Sequence, residues 1–305
     1  MTSPPPGRLG ANLLCMASML VWATAFPAVD LLVPLIPPVP LTAMRMTVGF
    51  LFMLPLWLLW EGPAALAAAN WGRGIRIGAT GFGFGATMLV FAQAQSDAVT
   101  VAVITAAMPV VGIAMECVLD GRSLTGRLVA GLLLSIAGGV AAYMVRLGGF
   151  GLGLGALLAL ASVITFSWGS RATVMGFPDQ SSLGRTTVTL AGAALGTILL
   201  SLVLTLAGGG SGVAWSAIGR PEIGALLVYG IGSMAISQLL WIMGVGRLGI
   251  GIAAMHINAA PFYVMMFMVL LGHPWNSWQA AAAIVVGAGV LLAQSGKRTA
   301  LAPAS

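Results

Sequence analysis

The chain has 305 residues, of which 59% are hydrophobic and 7% charged, with a formal net charge of +6. Soluble domains carry about a quarter charged residues, so a water-covered globule is excluded. The cations are scattered one or two to a loop, which excludes a nucleic-acid-binding face.

Ten apolar stretches fill the chain, at roughly residues 10–32, 40–60, 74–95, 98–118, 125–145, 152–175, 183–207, 222–243, 249–271 and 277–295. Crossing ~30 Å of hydrocarbon takes about 20 helical residues, and the bilayer core offers an open backbone no water. The expectation is an all-α integral membrane protein with ten transmembrane helices and no soluble domain.

Span 1 imitates a secretory signal in Arg8, its apolar run and Ala23-Thr24-Ala25. The run is long for one, however, and its Ala17-Ser18 recurs as Ala161-Ser162, where no signal sits. Ser18 and Trp22 are four apart and share a helical face, with Pro27 near the outer end. Span 2 carries Arg45, and Pro55 as a kink near its inner end. Span 3 has Gly81, Gly83 and Gly85 as sites of freedom, then Thr87, Phe91 and Gln95 along one face. Span 4 offers Thr105, Met108 and Pro109, span 6 Thr165, Phe166 and Trp168, and span 7 Arg185. Span 8 contributes Ser233, Ser237 and Trp241, and span 9 His256, Asn258, Pro261 and Phe262. Gly81–Gly85, Gly151–Gly155 and Gly192–Gly196 have the spacing of close packing seams. Trp57, Trp60, Trp71, Trp215, Trp275 and Trp278 lie near span ends and read as an interfacial belt. Cys15 and Cys117 have no metal-ligand spacing and read as small buried residues.

Residues 1–145 and 150–295 echo each other. Arg45-Met46-Thr47-Val48 answers to Arg185-Thr186-Thr187-Val188, and Ala106-Ala107-Met108-Pro109 to Ala259-Ala260-Pro261, so spans pair as 1/6, 2/7, 3/8, 4/9 and 5/10. A repeat with an odd number of spans inserts its second copy upside down, which predicts two inverted five-helix units, 1–148 and 149–305. With a cytoplasmic N-terminus, the inner side collects Arg8, Arg73, Arg76, Arg122, Arg127, Arg171, Arg247, Lys297 and Arg298, against Arg146 and Arg220 outside. Nine cations against two predict cytoplasmic termini in a cell inner membrane.

Such a layout predicts an alternating-access transporter with its site near the midplane. Polar residues at membrane depth default to the bundle interior. The candidate lining is therefore Ser18, Trp22, Thr87, Phe91, Gln95, Thr105, Met108, Phe166, Trp168, Ser233, Ser237, Trp241, His256, Asn258 and Phe262. Tryptophan, phenylalanine and methionine with a few hydroxyls and amides fit a zwitterionic amino acid with an apolar side chain. Pro27, Pro109 and Pro261 are gating or hinge candidates, each removing a helix donor and freeing a carbonyl. Arg45 and Arg185 sit at opposite sides of the membrane, as structural ties, snorkelling cations or captors of a substrate carboxylate.

Asp30, Glu61, Asp97, Glu116, Asp120, Asp179 and Glu222 all fall at span ends or in loops, leaving His256 as the mid-membrane group that titrates near neutrality. Facilitated efflux is favoured on this count over proton-coupled export of drugs or other metabolites. With two histidines and no mid-span carboxylate, no catalytic set or cofactor site assembles, so no enzyme is expected. A membrane-embedded receptor or scaffold stays open as another class, though it would not need inverted halves. The partners are the lipid bilayer and a small-molecule substrate, with a homodimer as a candidate assembly.

Several motifs lie in the order of a known family: Trp22-Ala23-Thr24-Ala25-Phe26, Arg45, Ala106-Ala107-Met108-Pro109-Val110, and Leu119-Asp120-Gly121-Arg122-Ser123-Leu124 with Gly131 and Gly138-Gly139. The second half repeats the signature in Ala259-Ala260-Pro261, Leu271-Gly272 and Gly287/Gly289. Over nearly its whole length the chain resembles the EamA-type drug/metabolite transporter superfamily, most closely its amino-acid and aromatic-amino-acid exporter branch. The resemblance implies the ten-helix fold and a lining role for Trp22. It departs from the family at Asp120-Gly121 and Gly272-His273, where relatives carry Gly-Glu.

Overall fold

The computed structural model describes residues 7–95, 101, 104–143, 153–209, 211–272 and 274–295. Arg146, Lys297, Arg298, Asp97, Gly151, His273 and the expected junction between the halves at 148/149 lie outside the described residues. The helical segments are α1 (Arg8–Leu32), α2 (Pro38–Ala68), α3 (Trp71–Gln95), α4 (Met108–Asp120), α5 (Gly126–Tyr143), α6 (Leu154–Met175), α7 (Ser182–Gly208), α8 (Arg220–Leu248), α9 (Ile250–Leu270) and α10 (Ser277–Gln294). Among the described residues α1, α2, α3, α6, α7, α8 and α9 are long and apolar enough to cross a membrane, while α4, α5 and α10 are shorter.

Polar side chains mark several helix starts. Asn70 Oδ1 accepts from Arg73 N at 3.0 Å, Ser181 Oγ from Gly184 N at 2.9 Å, and Glu222 Oε2 from Gly219 N at 2.8 Å. Each meets a donor that the first helical turn leaves without an internal partner.

Most of the long helices are interrupted. Thr24 breaks α1 one turn before Pro27, and its Oγ1 donates to the Val21 carbonyl at 2.7 Å beside its own backbone N–H at 3.2 Å. The backbone of α4 restarts after Ala107 (φ −80°, ψ −1°) and that of α9 after Ala259 (φ −87°, ψ −3°), so Pro109 and Pro261 stand in a new first turn where no N–H is needed. Equivalent prolines thus produce equivalent breaks. In α2 the outcome differs from the sequence expectation: the helix runs through Pro55 and turns at Gly62 (φ +79°), next to Pro63. Wider π-type turns occupy Gly78–Gly83 of α3 and Val228–Ile236 of α8.

The dominant packing pairs are α5 with α10, α2 with α7, α4 with α9, α3 with α6 and α7, and α8 with α1 and α2. Exchanging 1/6, 2/7, 3/8, 4/9 and 5/10 returns the same set. The contacts group α1, α2, α8 and α9 into one bundle and α3, α4, α6 and α7 into another, with α5 and α10 paired beside them. The bundles meet along α2/α7, α4/α9 and α6/α8.

Small residues make this closeness possible. A Cβ on Gly78 would stand 1.8 Å from the Thr189 carbonyl oxygen of α7, and one on Gly81 would stand 2.6 Å from Gly169 Cα of α6. The seams expected at Gly81–Gly85 and Gly192–Gly196 both carry such contacts, the latter against Ile75 and Ala79. Gly78→Val forces α3 off α7 and should cost about 2 kcal/mol or more. Thermal unfolding in detergent checks this against Gly287→Val, whose Cβ meets nothing within 4 Å and should leave Tm near that of the natural protein.

Candidate functional site

The centre is an aromatic group where α3, α6 and α8 converge. Phe82 and Phe166 meet edge to face with centroids 5.4 Å apart, and Phe166 lies 6.2 Å from Trp241. Trp241 is 2% exposed and its Nε1 donates to Ser170 Oγ at 3.0 Å, tying α8 to α6 across the two bundles. Behind it Ser18 of α1 donates to the Ser237 carbonyl at 2.8 Å. Cys15, Met19, Met108, Val163, Leu190 and Met234 belong to the same buried cluster.

Not every candidate joins this centre. Trp22 is half-buried and packs edge to face on Phe26 at 5.4 Å. Thr87, Thr105 and Thr165 bond back to carbonyls of their own helices, Gly83, Val101 and Ala161. Phe91 is half-buried, Gln95 exposed at the end of α3, and Trp168 exposed on the outer side of α6. Phe262 packs between Tyr263 and Trp275, at 5.8 and 6.3 Å. His256 sets Nδ1 at 3.2 Å from the Ala253 carbonyl, and Asn258 Nδ2 donates to Ser135 Oγ of α5 at 3.1 Å, which turns Asn258 away from the aromatic centre. Among the described residues no cluster of three or more His, Cys, Asp or Glu suits a metal ion.

The paired arginines behave differently. Arg45 stacks over the Tyr229 ring, 4.4 Å from its centroid, and Nη2 donates to the Ser233 carbonyl at 3.0 Å, inside the π-type turn of α8. The Ser233 hydroxyl, 3.4 Å from the same Nη2, donates to the Tyr229 carbonyl. Arg185 donates instead to Ser182 Oγ at 3.0 Å and to the Val174 carbonyl of α6 at 3.4 Å. Arg45 therefore ties the first part of α2 to α8, whereas Arg185 ties α7 to the end of α6.

Charges gather at the end of the molecule that carries Arg8. Arg171 of α6 pairs with Asp120 of α4, Nε to Oδ2 at 2.9 Å, and Arg122 pairs with Glu116. Arg73 donates to the Gly176 carbonyl at 2.7 Å, Arg127 to the Ser295 carbonyl at 3.0 Å, and Asn12 and Gln294 exchange amide hydrogen bonds. These contacts put the start of α1 and the end of α10 on one face.

Glu116 stands near the end of α4, as its place in the sequence implied, and faces inward. It is 4% exposed, and its Oε1 accepts from Gly251 N at 3.1 Å, in the first turn of α9. A Cβ on Gly249 would stand 2.2 Å from that oxygen. The Gly249-x-Gly251 spacing is the signal that the sequence offered for this contact. Trp57, expected in the interfacial belt, is not on the surface, while Trp71 is half-buried at the start of α3. Trp57 is fully buried, 5.9 Å from Trp71, and donates to Glu61 at 3.1 Å. Trp60, Trp215, Trp275 and Trp278 are exposed, as a belt requires.

Trp57 also shapes the α2/α7 seam. At that end the helices close, since a Cβ on Gly184 would stand 2.8 Å from the Trp57 ring. Toward the opposite end lies an apolar groove of 450 Å³ lined by Pro40, Ala43, Met44 and Thr47 of α2, Ile198, Leu202 and Thr205 of α7, and Trp215.

Removing one partner of a buried ion pair leaves the other uncompensated. Glu116→Ala should thus cost about 3 kcal/mol, while Glu116→Gln, which keeps an acceptor for the Gly251 N–H, should cost clearly less. Unfolding midpoints of the two variants decide the matter, and equal losses would assign the whole cost to the ion pair with Arg122, since glutamine keeps the volume and the acceptor.

The sequence profile of the EamA-like transporter family matches twice, over residues 9–144 and 153–294. No curated protein matches the chain. Among 27 matching solved chains, one described only as a crystal structure of a protein superposes with a TM-score of 0.77 at 23% identity, covering 93% of this chain and 96% of that one.

Proposed function

Because this chain belongs to the EamA-like transporter family, a family of multi-pass membrane transporters of small metabolites, we propose that it exports amino acids, aromatic or large neutral, by alternating access. In this reading ten helices span an inner membrane as two inverted units, 1–148 and 149–305, with both termini in the cytoplasm. The packing set that returns to itself on exchanging the units supports the inversion. The face that collects Arg8, Arg73, Arg122, Arg127 and Arg171 supports a cytoplasmic assignment for both chain ends.

The single observation that carries the transport reading is the seam between the two bundles. It places aromatic rings, small hydroxyls and no ion pair at mid-depth, an environment for a substrate with an apolar body and internally balanced charge. Its ends also differ. On the Arg8 side it is closed by Trp57 against Gly184, Trp241 on Ser170 and Glu116 on α9, while toward the other side an apolar groove lies along α2 and α7. That asymmetry supports a state closed to the cytoplasm. Pro27, Pro109 and Pro261, each at a helix break, are the positions we assign to the hinge motion.

A second reading, proton exchange, draws on Glu116, a buried carboxylate at the seam. It predicts that an imposed pH gradient drives flux in the natural protein and not in Glu116→Gln.

Two measurements test the first reading. A reporter fused after Ser305 should be active in its cytoplasmic form, and a periplasm-dependent reporter active there would overturn the topology. Purified protein in liposomes should show saturable exchange of L-phenylalanine. Trp22 stands apart from the aromatic centre, half-buried on Phe26, and we assign it to the substrate path, so Trp22→Ala should lower that flux about tenfold with little change in Tm. A parallel fall in Tm would assign Trp22 to packing.

A further inference from the structure

Ser167 and Gln238 entered no part of the sequence reading, yet each is almost fully buried, 0% and 5% exposed, and neither Ser167 Oγ nor Gln238 Nε2 has a hydrogen-bond partner. A buried donor left unmet at membrane depth is a cost that a chain sheds readily by substitution, unless something else meets it.

Their positions on α6 and α8 are linked. Ser170 and Trp241 join the helices at 3.0 Å, and further along a Cβ on Gly246 would stand 3.7 Å from a Val174 methyl, so the helices run in the same direction. Ser167 and Gln238 each lie three residues before the linked pair, on the same faces, and hence at one level. That level is close to the middle of both segments, Leu154–Met175 and Arg220–Leu248. The two donors thus occupy the seam between the bundles, one from each side, beside Phe166.

We infer that Ser167 and Gln238 are substrate-binding groups that together donate to a carboxylate whose apolar body rests on the Phe82–Phe166–Trp241 rings. This rests on the transport reading above and adds the chemistry of its site. A hydroxyl and a primary amide each supply a neutral N–H or O–H, and a carboxylate has lone pairs for both. Because one donor comes from each bundle, a bound carboxylate draws the bundles together. When they part, both donors meet water. Trp241 on Ser170 forms the floor on the Arg8 side, so the carboxylate is released only once that contact opens.

The experiment uses the full chain in liposomes, with L-phenylalanine as probe and phenethylamine, the same ring and amine without the carboxylate, as its comparison. Ser167→Ala and Gln238→Met should each weaken L-phenylalanine competition about tenfold, the worth of one lost hydrogen bond to a charged group, and leave that of phenethylamine unchanged. Without ligand, both variants should match or exceed the natural Tm, since an unmet donor has been removed. A fall in ligand-free Tm, or competition unchanged in both variants, overturns the assignment.

If the natural protein carries no L-phenylalanine, the amino-acid reading fails by itself, and a second measurement judges the pair. In a Cys15→Ala/Cys117→Ala background, Ser167→Cys and Gln238→Cys should react with a water-soluble methanethiosulfonate in intact membranes. Lack of reaction at both positions overturns the proposal whatever the substrate.

Discussion

The hydrocarbon core of a bilayer offers a polar group no partner, and this constraint organises the molecule. Threonines obey it locally, bonding back to carbonyls of the preceding turn at Thr47, Thr87, Thr105, Thr173, Thr187 and Thr197. Helix interruptions obey it through neighbours. The wide turn of α8 exposes the Ser233 carbonyl and Arg45 meets it, while the first turn of α9 exposes the Gly251 N–H and Glu116 meets it. Arg45 and Glu116 are thus tied to backbone groups that a helix break leaves free, which explains why they are tolerated there.

Small residues make the other half of the arrangement. Lipid tails are as apolar as leucine, so helices associate by close contact and not by escaping water. Gly78 against Thr189, Gly81 against Gly169 and Gly184 against Trp57 bring backbones together at the seams between units. Along α2/α7 the Trp57 ring fills the space over Gly184, and an apolar groove lies toward the other end.

The repeat is kept in packing and broken in detail. Arg45 crosses to α8, but its counterpart Arg185 holds the end of α6. The surroundings of the two arginines differ in sequence, Tyr229 and Ser233 for one and Ser182 and Val174 for the other, so the symmetry of the packing does not extend to their contacts.

Composition and hydropathy alone determined the helical membrane class and the approximate limits of the seven long apolar helices, and repeated motifs the doubling of the family unit, because burying a helix in lipid demands long apolar runs. The matched prolines were equally legible, since a residue without an N–H sits at no cost in a new first turn, where Pro109 and Pro261 both stand. Partners decided by tertiary contact were not. Pro55 passes within a straight helix while Gly62 turns it, Trp57 is buried against Trp71 and not at an interface, and Glu116 is drawn inward by a helix start 135 residues away. Ser167 and Gln238 look like ordinary small and polar residues in an apolar run. Only the crossing of α6 and α8, fixed by one indole hydrogen bond, sets them at one level and leaves them without partners.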